Sequence, residues 1–230
     1  FNHGKAPHDT FHNQYASGMA QATRAGFEAA HPGQRAFVIS RSGYTGISKY
    51  AAIWTGDNCS NYHYLRLAIP CSLNLALSGV PFNGPDIGGF AGDCTSELLR
   101  DWQKAGFLFP FCRNHTSCGT RRQEPWAHDK LTLKLVTHYV RLRYKLRPYL
   151  YQLFQRQAAE GEAILRPLFY DFADRAEWPL GKIEDQFMVG PSIMQAPVVW
   201  EKAKSRELLL PGDGAWWSAL DARWIKGPRR

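Results

Sequence analysis

Two hydrophobic rhythms alternate along the first half of this chain. One repeats every three or four positions, as on a helix face; the other is a short unbroken apolar run. Residues 11–30 predict a helix with Tyr15, Met19, Ala22 and Ala25 or Gly26 on one face. After Gly33, the run Ala36-Phe37-Val38-Ile39-Ser40 predicts a strand buried on both faces, as in a parallel sheet. Polar Arg41 and Ser42 follow at its carboxyl end. Residues 61–78 predict a second helix, with Leu65, Ile69, Leu73 and Leu77 four apart, and Pro70 is expected to bend it or end its first segment. Val80-Pro81-Phe82-Asn83 leads to Asp86, residues 95–105 predict a third helix, and Leu108 to Cys112 leads to Arg113, Asn114 and His115. Three times an apolar strand ends in polar residues, with helices between. That order is the grammar of a βα barrel, whose sites sit on loops at the carboxyl ends of its strands.

Downstream, a long helix is expected from about Leu131 to Ala159, with Leu135, Tyr139, Leu142, Leu146, Tyr149 and Leu153 as its apolar stripe and Pro148 bending it. Leu165 to Phe172 and Met188 to Val199 are further strand candidates. From about Pro197 the pattern changes to short β segments with turns, such as Leu208-Leu209-Leu210 before Pro211-Gly212-Asp213-Gly214. A domain boundary is expected there, between residues 1–196 and 197–230.

With 44% apolar and 21% charged residues, the chain has the composition of a folded globular protein. No run is long and unbroken enough to span a membrane. The net charge of +8 raises the question of nucleic acid. However, Arg141, Arg143, Lys145 and Arg147 alternate with apolar residues on the long helix, and no nucleic-acid-binding signature accompanies them. The five cysteines (Cys59, Cys71, Cys94, Cys112 and Cys118) show no two-residue spacing of the zinc or redox kind. His3, His8, His12 and His31 do not make a ligand set either, so neither metal nor cofactor is expected.

Candidate chemistry concentrates in Trp54-Thr55-Gly56-Asp57-Asn58 and Gly84-Pro85-Asp86-Ile87-Gly88-Gly89-Phe90. Carboxylates in glycine-rich loops lined by aromatics suit the cleavage of a sugar acetal. One acid protonates the leaving oxygen, ring faces stack on sugar rings, and Asp, Arg and His bind hydroxyls. Gly-Asp-Asn also suits an ordinary turn.

Taken together, Phe37 to Ser42, Trp54 to Asn58, Gly84 to Phe90 and Phe109 to His115 resemble the α-glucosidases of glycoside hydrolase family 31. Gln123-Glu124-Pro125-Trp126, Arg147 to Tyr151 and Gln186 to Gly190 continue the resemblance in the family's order, over nearly the whole chain. The resemblance implies an α/β fold, the second half of a (β/α)8 TIM barrel, followed by the start of a small β-sandwich domain. It implies retaining cleavage of a terminal non-reducing α-linked glucose, with Asp57 as general acid/base. Arg41, Trp54, Asp86, Phe90 and His115 match positions lining the sugar subsite, and Arg113 matches a residue organising its carboxylates. Asp86 would bind sugar hydroxyls or pair with Arg41.

The family's nucleophile comes from a Trp-x-Asp-Met-Asn-Glu-like motif on an earlier strand, and no such motif occurs here. Phe1 to Thr23 resembles the segment that follows it, through His12-Asn13-Gln14-Tyr15. The nucleophile is therefore expected outside this sequence, in a longer enzyme. The expected partner is an α-glucoside oligosaccharide, with no nucleic acid, membrane or cofactor; localisation and oligomeric state stay open. The same fold would also serve an α-xylosidase or an α-glucosyltransferase. A non-catalytic carbohydrate-binding fragment is the third reading; as half a barrel it would carry unpaired strand edges and be poorly soluble alone.

Overall fold

Strands and helices alternate through the first two-thirds of the computed structural model, in which residues 5–173 and 179–228 are described. α1 (His8–Ala30) leads into β1 (Ile39–Ser40) and β2 (Ala52–Trp54). α2 (Tyr62–Leu77) follows, then β3 (Asn83–Gly84), β4 (Asp86–Ile87), α3 (Ser96–Gly106) and β5 (Arg113–Asn114). Next come α4 (Lys130–Lys145), α5 (Arg147–Glu160), β6 (Leu165–Pro167) and α6 (Leu168–Asp171). β7 (Phe187–Val189), β8 (Ile193–Gln195), β9 (Ala215–Ser218) and β10 (Arg223–Lys226) complete the order.

The strands before α4 pair in parallel, β1 on β2, β2 on β3, and β4 on β5. They form an arc of barrel staves that does not close among the described residues. Helix starts are set by side chains that take up N–H groups the first turn cannot satisfy. The Tyr64 N–H donates to Asn61, Leu98 to Thr95 and Thr132 to Asp129, opening α2, α3 and α4. Leu65, Ile69 and Leu73 face the core as their spacing predicts, while Leu77 is exposed. They pack with Leu98, Leu99 and Trp102 of α3, and with Leu150 and Leu153 of α5, around Ile87 and Phe109.

Several expectations are corrected. On α1 the packed residue is Ala20, against Ile47, Ile53 and Val80; Tyr15 and Met19 are exposed. The small Ala20 side chain lets the helix approach, and Arg24 Nη1 donates to the Lys49 carbonyl 2.5 Å away. α2 runs through Pro70 without ending. The long helix is two helices. Pro148 has no N–H and its ring crowds the carbonyl four residues back, so α4 ends and α5 restarts with Pro148 in its first turn. The stripe survives the break because Leu146 N donates to Leu142 O and Leu150 N to Leu146 O.

The segment from Leu165 makes only a three-residue strand before a turn of helix. β6, β7 and β8 are antiparallel, unlike the strands before them. Leu208 to Leu210 is not a strand, because Gln186 takes its backbone groups: the side chain accepts from Leu209 N at 3.0 Å and donates to Leu209 O. β9 and β10 form an antiparallel hairpin. No described helix is long and apolar enough to cross a membrane.

Leu99 is fully buried in the main core. Leu99→Ala is expected to destabilise the protein by about 3 kcal/mol through lost burial and a residual cavity. The denaturant midpoint of the full-length gene product checks this, and an unchanged midpoint would contradict the packing described.

Candidate active site

The candidate side chains stand on the parallel strands or on the loops that leave their carboxyl ends. Arg41 follows β1, Trp54 ends β2, Asp86 opens β4, and Arg113 lies opposite Asp86 in register on β5. The loop after β2 turns at Gly56, whose φ of 83° suits glycine, and Asn58 Nδ2 donates to Thr55 Oγ1 at 3.0 Å. This loop is sewn to the loop after β4 by main-chain bonds. Phe90 N and Ala91 N both donate to the Asn58 carbonyl, at 2.6 and 3.0 Å, and Ser60 N donates to Ala91 O at 2.8 Å. Gly89 permits that approach, since a Cβ there would sit 2.6 Å from Ser60 Cα.

Two carboxylates result, in opposite environments. The Asp57 side chain is 42% exposed and meets Arg41, itself 61% exposed, through Nη2 to Oδ2 at 3.1 Å. An ion pair this open contributes little stability, so its consequence is orientation. Asp86 is wholly buried, and both Nε and Nη2 of Arg113 donate to its Oδ1, at 3.1 and 2.6 Å. Its Oδ2 is buried without a hydrogen-bond partner. Burial pushes the Asp86 carboxyl above its ordinary value, Arg113 and then His115 pull it down, and Asp57 pushes it up. The Arg113 guanidinium also lies 5.4 Å from the Trp54 ring centre and 5.2 Å from that of Phe111.

Phe90 and His115 stack with ring centres 5.1 Å apart and 27° between planes. All the expected residues are thus gathered, in pairings the sequence left undecided. Asp86 does not pair with Arg41; its partner is Arg113, and Arg41 turns to Asp57. Strand order decides this, because β4 hydrogen-bonds to β5 while β1 lies beyond β2. One residue had no role assigned from sequence. Gln123 is buried and its amide reaches the backbone of both the β4 and β5 loops. Its signal was a polar residue inside a recognisable block.

The site is an open shelf. Two clefts elsewhere, one along Lys130–Arg141 and one between Asp185 and Glu207, contain none of these residues. Among the described residues no group of three His, Cys, Asp or Glu side chains could hold a metal. His8 Nε2 and His12 Nδ1 lie 2.6 Å apart on α1; His3 lies outside the described residues. Burial pushes the Cys94 thiol up to about 12, which leaves it unreactive.

Removing Arg113 leaves a buried carboxylate uncompensated. Arg113→Met is expected to cost about 3 kcal/mol of stability, at the low end for a buried pair because the guanidinium is partly exposed. Adding Asp86→Asn should restore at least half of the loss. Denaturant unfolding of the single and double variants checks both, and a single variant as stable as wild type would overturn the pairing's importance.

With this geometry in view, comparison with known proteins is informative. Residues 1–153 match the glycosyl hydrolases family 31 TIM-barrel domain, and residues 161–230 match the family 31 C-terminal domain. The chain is 40% identical over 209 residues to "Alpha-glucosidase 2" of Bacillus thermoamyloliquefaciens, covering 91% of this chain and 26% of that protein. It is 38% identical to the "Alpha-glucosidase" of Saccharolobus solfataricus, over 97% of this chain and 32% of that one. The crystal structure of the glucosidase II alpha subunit superposes with a TM-score of 0.93 at 30% identity, over 99% of this chain and 25% of that chain. The chain therefore spans about a quarter to a third of the length of these relatives. Its arc of parallel strands is a portion of the TIM barrel, its C-terminal region is the β domain, and the chain belongs to glycosyl hydrolase family 31.

Proposed function

We propose that this chain supplies the general acid/base and one wall of the sugar site of a retaining α-glucosidase. The observation that carries the reading is Asp57. It is an accessible carboxylate at a strand's carboxyl end, oriented by Arg41 and joined through Asn58 to the loop bearing Phe90. In this reading Asp57 protonates the departing glycosidic oxygen. Arg41 then stands beside the carboxylate charge left behind. In the second half-reaction Asp57 takes a proton from the water that attacks the glycosyl-enzyme. Trp54, Phe90 and His115 present ring faces and edges to the sugar, and Arg113 offers its partly exposed guanidinium to a hydroxyl. Asp86, expected from the sequence to touch the sugar, has no exposed surface and acts by holding Arg113. No cofactor enters the chemistry.

Retention also needs a nucleophilic carboxylate about 5–5.5 Å from the acid. Asp86 is unsuited to that task, being fully buried with Oδ1 held by Arg113. We assign the nucleophile to a carboxylate outside these residues, in the longer enzyme. The alternative sugar is xylose. An α-xylosidase crystallised with xylose shares 32% identity and superposes at a TM-score of 0.85 over 93% of this chain. Named α-glucosidases at up to 40% identity favour glucose.

Asp57→Asn in the full-length gene product is expected to lower kcat on unactivated α-glucosides by about 10²–10⁴-fold, the usual share of general acid-base catalysis. Substrates whose leaving groups need no protonation should lose far less in the first step. Near-normal turnover of unactivated substrates would sink the assignment. A panel of α-glucosyl, α-xylosyl and α-galactosyl substrates separates the two sugar readings.

A further inference from the structure

We propose that Gln123 is a positioning residue for the sugar site: its side-chain amide holds the loop after β4 and the loop after β5 at one separation, so that Phe90 and His115 meet the sugar as a stacked pair. This rests on the reading of the shelf as a sugar site.

Gln123 is only 2% exposed. Its Nε2 lies 2.8 Å from Ile87 O and 3.3 Å from Gly89 O on one loop. On the other it lies 3.1 Å from Asn114 Oδ1 and 3.3 Å from His115 O. Two N–H groups are thus shared among four oxygens drawn from both loops. Asn114 answers the contact, its Nδ2 donating to Gln123 O at 2.8 Å. The amide's orientation is fixed, because a flipped carbonyl would face the same four oxygens. The backbone is shaped for it: Gly88 has φ of 93°, and a Cβ there would fall 2.5 Å from Nε2.

The bonds end next to the stacked rings. Gly89 O belongs to the peptide unit that carries the Phe90 N–H, and His115 O is the carbonyl of the stacked histidine itself. Phe90 itself ties the two loops as well, its carbonyl accepting from Ser117 N and Thr116 Oγ1 just past His115, so Gln123 is the second tie between them and the one made by a buried side chain. Gln123 is the described side chain that bonds to Gly89 and His115 together. Its effect should fall on sugar binding more than on proton transfer, since it does not touch Asp57 or Arg41.

Gln123→Leu keeps the volume and removes the donors. In the full-length gene product it is expected to raise KM for p-nitrophenyl α-glucoside about tenfold or more, with kcat changed by less than about threefold. Gln123→Glu, which puts a carboxylate among four oxygens, should raise KM at least as much. Gly88→Ala should raise KM as well, and by less when Gln123 is already Ala, because the two share one contact. The proposal is overturned by a folded Gln123→Leu enzyme whose KM is unchanged while only its melting temperature falls. Additive KM effects of Gly88→Ala and Gln123→Ala would overturn it too. Asp57→Asn assayed on maltose, whose leaving group needs protonation, separates the failures: if it retains turnover, the reading of the site is at fault; if it loses turnover while Gln123 variants keep KM, only the positioning is.

Discussion

Everything at the carboxyl ends of these strands is arranged around one buried charge. A carboxylate with no solvent access costs several kcal/mol unless paired, and the ion-pair partner of Asp86 among the described residues is Arg113. The pair fixes more than itself. Asp86 and Arg113 are register neighbours across β4 and β5, so a slip of one residue would turn Arg113 to the other face and strand the carboxylate. Once held, the guanidinium lies between Trp54 at the end of β2 and Phe111 just before β5. Three strands are thereby referenced to one side chain.

Close backbone approach does the rest. Gly84 has no side chain because a Cβ would sit 2.0 Å from the Phe111 carbonyl, which is how β3 and the approach to β5 nest. Gly88 and Gly89 serve likewise a few residues further on, against Gln123 and against Ser60. The glycines of the Gly84–Phe90 segment are therefore packing residues as much as turn residues. They let main-chain bonds from Phe90 and Ala91 hold the neighbouring Asn58 loop, and through it the residue that precedes Asn58, Asp57.

Much of this was legible in the sequence. α2 and α3 were legible as helices over residues 61–78 and 95–105, the first by its four-residue apolar spacing, a local signal; the caps at Asn61 and Thr95 that open them are seen in the structure. The candidate residues could be picked out because each lies in or just after an apolar run, and strand ends are where this architecture places chemistry. The pairings could not be read, because Arg41 and Arg113 are equally plausible partners for either Asp until strand order is known. The exposed face of α1 was misread for a related reason. Tyr15 and Met19 look like core residues, but Ala20 sets how closely the helix packs. Leu208 to Leu210 has strand propensity and no strand, because the partner for its backbone is a side chain, Gln186, more than twenty residues earlier. No local pattern encodes that.

The two ion pairs divide the work by their access to water. In the role proposed for it, Asp57 would trade protons with a leaving oxygen and then with water, and its exposure beside a solvent-open Arg41 is compatible with reaching both. A group that holds strand register must not exchange partners, and Asp86 is sealed from exchange by burial and by two donors on one oxygen. Interchanging those environments would defeat both tasks. A buried Asp57 would have no route for its proton, and an exposed Asp86 would give Arg113 to solvent and loosen β4 from β5. The difference in exposure between two aspartates 29 positions apart is thus the physical basis for assigning them different roles.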